Sequence, residues 1–109
     1  MCFVKLEEEN INGTTALLAA CQGGHLQVVQ HLTEEHKANV YHKDKDGNTA
    51  LHNACVGGHL NVIKYLLPLF GERKFDANEY GKDCLTVASA QGHKDIVQYL
   101  LLEGGFRPI

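Results

Sequence analysis

A chain of 109 residues, 44% hydrophobic and 21% charged, has the length of one folded domain and is too apolar for a disordered one. Its formal net charge of −3 excludes a basic protein built to grip a phosphate backbone, because each small basic group (Lys37, Lys43 and Lys45; Arg73 and Lys74) sits beside Glu or Asp. No run of 18 apolar residues is present to span a membrane, and Cys2, Cys21, Cys55 and Cys84 lack CxxC spacing.

The opening MCFVKLEEEN turns acidic too early for a signal peptide, and its Glu7–Glu9 run reads as a solvated terminus. With the four thiols expected to be free, a reducing compartment, cytoplasmic or nuclear, is the expected location. Regular organisation begins at Gly13. The segment GTTALLAACQGGHLQVVQHL (13–32) returns as GNTALHNACVGGHLNVIKYL (47–66), shifted by 34, with twelve of twenty positions identical. A second shift of 34 reaches GKDCLTVASAQGHKDIVQYL (81–100), which keeps Gly81, Leu85, Ala88, Gly92, His93 and Leu100. Two equal shifts with aligned glycines define a repeat, with units expected near 10–43, 44–77 and 78–109 of a single domain, 1–109.

The middle unit shows what each part does. Asp46-Gly47 is turn chemistry, and Thr49 stands where a hydroxyl caps the next helix. Residues 50–57 are expected to be a short helix carrying Leu51, Ala54 and Cys55 at spacings of three and four. Gly57-Gly58 ends it, since Gly accepts the left-handed C′ conformation. A second helix is expected from about His59, with Leu60, Val62, Ile63, Leu66 and Leu67 as its apolar stripe, stopping at Pro68. Helices this short are marginal alone, so stacking of units must supply the core. Small residues (Ala19, Ala20, Cys21, Ala54, Cys55, Ala88, Ser89 and Ala90) crowd the first helices so that neighbours can approach. In the third unit Asp83 replaces the Thr cap with a carboxylate. The tail LLLEGGFRPI follows the last helix directly, so Phe106 and Ile109 are expected to be exposed beside Ile96, Val97, Leu100 and Leu101. Either the tail folds back as a cap or the array is part of a longer one, and the latter is the expectation.

The period of 34 also suits tetratricopeptide repeats, whose pattern demands a Trp that this chain lacks. The motif resembles ankyrin repeats instead: Thr49-Ala50-Leu51-His52 stands for Thr-Pro-Leu-His, Ala54-Cys55 for the paired alanines and Gly58-His59 for Gly-His, and the resemblance covers residues 10–105. It departs where Ala16, Ala50 and Cys84 replace the tetrapeptide Pro, and where Leu18 and Thr86 replace its His, so an inter-loop hydrogen bond is expected to be missing in the outer units. Each unit also runs one residue beyond the usual 33, the middle one within PLFGERKF.

The resemblance implies an all-α repeat fold, an ankyrin solenoid of helix-turn-helix units joined by β-hairpin-like loops. It implies a non-catalytic scaffold that binds a protein or peptide through hairpin tips and a concave helix face, with no cofactor, nucleic acid, membrane or small-molecule substrate. The positions that vary between units are the candidate contacts: Tyr41, Lys43, Lys45, Asp46, Asn48, Asn53, Val56, Glu79, Tyr80, Lys82 and Gln91. Tyr80 is the first choice as anchor and Tyr41 the second, because aromatic residues dominate interface energetics. The alternative is a structural segment of a larger multidomain protein whose array packs on its own neighbours.

Other constellations weigh less. Cys21-x3-His25 and Cys55-x3-His59 contain zinc-ligand types, yet a glycine break separates each pair and the Cys suits a small core position. Ser89, His93 and Asp95 are close in sequence, but Gly92 interrupts the helix between nucleophile and base. The Gly-Gly pairs lack the Lys-Ser/Thr of a phosphate loop. Of seven histidines, His25, His52, His59 and His93 follow the repeat, leaving His31, His36 and His42 on faces expected to be exposed.

Overall fold

A computed structural model describes Glu9, Ile11 and residues 13–106. Three helix pairs follow one another: α1 (Ala16–Gly23) with α2 (Leu26–Glu34), α3 (Ala50–Gly57) with α4 (Leu60–Phe70), and α5 (Cys84–Gln91) with α6 (Lys94–Leu102). A short 3₁₀ turn, Gly71–Phe75, follows α4, and no strand occurs among the described residues. The molecule measures 48 × 25 × 23 Å because α1 packs on α3 and α3 on α5, each with its second helix behind it.

Caps define the first helices. Thr15, Thr49 and Asp83 lie in extended backbone, and each side chain accepts the N–H three residues on, at 3.4, 3.5 and 2.8 Å. The Asp83 carboxylate thus makes the shortest of the three bonds, as a charged acceptor should. Gly24, Gly58 and Gly92 close the same helices at φ 75°, 78° and 77°. Between these caps, Ala20, Cys21, Ala54, Cys55 and Ala88 are buried and let the first helices meet closely, whereas Ala19, Ser89 and Ala90 face outward rather than crowding the stack. The larger aliphatics are on the second helices: Val29 and Leu32; Val62, Ile63, Leu66 and Leu67; Ile96 and Leu100.

Two further expectations fail. Pro68 does not stop α4 but lies inside it, since extending the helix buries Phe70 against the core and Tyr41. A proline so near the C-terminus removes one N–H from the ladder, a smaller loss than a bulky aromatic left in water. Phe106 is likewise not exposed: it is 4% accessible, edge-on to Phe75 with centroids 4.8 Å apart, and its N–H donates to Leu100 O. The tail covers the end of α6 as far as Phe106, and Ile109 lies outside the described residues. Leu102 remains 73% exposed.

Candidate functional site

Along one edge, the turns preceding α3 and α5 are built alike. The side-chain oxygen of Asp44 accepts the N–H groups of Asp46 and Asn48, both at 2.9 Å. Thirty-four residues on, Asn78 Oδ1 accepts those of Tyr80 and Lys82, at 2.9 and 3.1 Å. Each turn is closed again by backbone bonds, Asp44 N–H to Asn48 O and Asn78 N–H to Lys82 O. A short polar residue at the first position therefore replaces the water that two backbone N–H groups would otherwise need.

The two turns are also locked together. Glu79 N–H donates to Asp46 O, Asn78 Nδ2 to Asn48 Oδ1, and the Tyr80 hydroxyl to Asp46 Oδ1 at 3.2 Å. The nearby carboxylate raises the Tyr80 phenol above its ordinary value. Behind them, buried His52 accepts the Thr49 N–H on Nδ1 and therefore donates from Nε2 to Lys82 O, at 2.8 Å. Burial lowers its pKa, which keeps the ring neutral and that tautomer in place. Lys43, Lys45, Glu79, Tyr80 and Lys82 project from this braced edge into solvent, Tyr80 with 67% of its surface exposed.

The candidate contacts do not all share that edge. Asn53 is buried, and its Nδ2 donates to Thr49 O inside the cap of α3, so it holds the cap instead of facing a partner. Tyr41 is half-buried, edge-on to Phe70, with its hydroxyl donating to Leu69 O and Arg73 stacked 4.1 Å from its ring centre; it anchors the end of α4. Asp46 and Asn48 are half-buried and serve the turn lock. Val56 is half-buried and supplies a carbonyl to the next unit, while Gln91 is exposed at the end of α5.

The repeated histidines bind the stack. His59 Nε2 donates to Gln22 O and His93 Nε2 to Val56 O, at 2.9 and 3.3 Å, each ring lying against the C-cap glycine of the preceding unit, Gly24 or Gly58. Cys55 is buried next to the Cys84 thiol and burial pushes Cys21 up to about 12, so neither is prepared to ligate as thiolate. The inter-loop bond lost with Leu18 has a substitute: His42 Nε2, flanked by Glu9, bonds Gly13 O at 3.0 Å. Nothing in the repeat pattern marks His42, since it precedes the aligned segment.

A groove of about 550 Å³ lies outside α5 and α6, lined by Gly92, Lys94, Val97, Leu101 and Leu102 among others. Among the described residues no helix is long and apolar enough to cross a membrane. No curated relative matches the chain. A family model described as ankyrin repeats (3 copies) matches residues 2–72 and 32–108. With capped helix pairs at a spacing of 34 and a histidine cross-link between successive units, the chain belongs to the ankyrin-repeat family.

Proposed function

We propose that the chain is a non-catalytic scaffold, a short solenoid of units near 10–43, 44–77 and 78–109, that grips a protein or peptide through its turn tips and the concave face of its first helices. Ankyrin repeats are generally protein–protein interaction modules and typically non-catalytic. The observation that carries the reading is the braced pair of turns, which presents Tyr80 with Lys43, Lys45, Glu79 and Lys82 on a frame of four cross-turn hydrogen bonds. An interface already ordered loses less side-chain and loop entropy on binding. Tyr80 supplies amphipathic contact area, and the lysines tune association rate and partner choice. Val56 and Gln91 extend the surface along the first helices. Three buried free thiols suit a reducing compartment, cytosol or nucleus.

The test takes a partner captured with the wild-type protein and verified by calorimetry. Tyr80→Ala is expected to weaken binding by about 1–2 kcal/mol, and Lys45→Glu and Lys82→Glu to change the association rate and its salt dependence. Unchanged affinity in all three would end this reading.

A second reading, an array packed on neighbouring segments of a larger protein, is favoured by the apolar groove outside α5 and α6, where Leu102 is largely exposed. Self-association abolished by Leu102→Glu supports it; a monodisperse monomer counts against it.

A further inference from the structure

Two histidines that the repeat leaves over come together. His31 lies in the last turn of α2, and His36 follows just past its end. The chain reverses there at Lys37, whose φ is 56°, and Ala38 N–H closes the reversal on Leu32 O at 2.9 Å. That turn sets His36 Nε2 3.0 Å from His31 Nε2, with both rings exposed, inclined at 75° and centred 4.7 Å apart.

We propose that His31 and His36 form a chelating site for a late first-row divalent cation, Ni²⁺, Cu²⁺ or Zn²⁺. A head-on N–H···N bond would place the ring centres about 5.4 Å apart, taking about 1.2 Å from ring centre to nitrogen; the observed separation is shorter, so the ring axes bend off the line between the two nitrogens. The two separations together match nitrogens converging on a point about 2 Å from each at roughly 95°, which is a metal–imidazole distance and a cis coordination angle. Only one proton fits between the two nitrogens, and a cation takes its place with both rings neutral and protonated on Nδ1. Imidazole pairs favour these ions over Mg²⁺ or Ca²⁺. Among the described residues no third His, Cys, Asp or Glu completes the cluster, so water, or a side chain from a docked protein, fills the remaining positions.

The test titrates Ni²⁺, then Zn²⁺, into the full chain by calorimetry in a non-coordinating buffer, with Cys2→Ser removing a competing thiol. One ion per chain is expected. His31→Ala and His36→Ala should each weaken it at least about tenfold, while His25→Ala, an exposed histidine elsewhere, leaves it unchanged. Ni²⁺ should raise the melting temperature of the parent protein and of neither pair variant. Far-UV circular dichroism verifies that the variants remain folded. Equal affinity in the parent and both pair variants, loss in only one of them, or no binding below millimolar metal would overturn the proposal.

Discussion

Gly58 and Gly92 hold the same cap position with different surroundings, which makes a paired experiment. Both close a first helix in the left-handed region, at φ 78° and 77°. A Cβ on Gly58 would sit 2.7 Å from His93 Cε1 and 3.0 Å from both ring nitrogens, whereas a Cβ on Gly92 would meet nothing within 4 Å. The His93 ring retreats only by giving up its bond to Val56 O. The left-handed strain common to both alanine variants costs about 1 kcal/mol. Overpacking against a held ring adds about 1–3 kcal/mol at Gly58 alone. Gly92→Ala should therefore lower stability by about 1 kcal/mol and Gly58→Ala by about 2–4 kcal/mol. Urea unfolding followed by circular dichroism reads both. Adding His93→Ala to each variant should recover the extra loss at Gly58 and nothing at Gly92. Equal losses in the two single variants, or the absence of coupling to His93, would refute the account of the histidine as the element that registers one unit on the next.

Further outcomes follow from single residues. Lys37 holds φ 56° at the position where Gly71 and Gly105, at intervals of 34, also have positive φ, so Lys37→Gly should raise the urea midpoint, with a gain of about 0.5–1 kcal/mol. Burial depresses the folded-state pKa of His52 below its ordinary 6.5, so the unfolded chain binds the extra proton. Its contribution is complete above 6.5 and is lost as pH falls from there towards the depressed value, with a slope of at most about 1.4 kcal/mol per pH unit. Stability measured from pH 8 to 5 should lose that component in His52→Gln. Phe106→Ala should destabilise by about 3 kcal/mol, and Phe75→Ala should be non-additive with it in a double-mutant cycle; a loss near zero would mean that the tail does not close the end of α6.

The repeat was legible because its signals are local. Thr49, Gly58 and the aliphatics of α4 act within a turn or two of their own position, so their spacing alone locates the helix pair. What could not be read depends on distance through space. The exposure expected of Phe106 failed because its partner, Phe75, lies 31 residues upstream in the irregular stretch after α4. Pro68 continues the helix against a local rule because burial of Phe70 outweighs it, and that burial depends on the packed structure. Asn53 and Tyr41 vary between units, as a contact residue would, but variation also accommodates private structural bonds such as Asn53 to Thr49. The Lys37 reversal hides the His31–His36 pairing from any helical periodicity, since residues five apart do not share a helix face.

The hydrogen bonds that tie one unit to another, from the 10-residue span of Cys84 to Lys74 up to the 37-residue spans of His59 and His93, each join immediate neighbours. Under tension, the three units are then coupled in series like links of a chain, and among the described residues α3 and α4 form the link gripped from both sides. Pulled along its 48 Å axis, the molecule should shed an end unit first and yield in steps of one repeat. A folded enzyme core resists as a whole. This molecule gives way by increments.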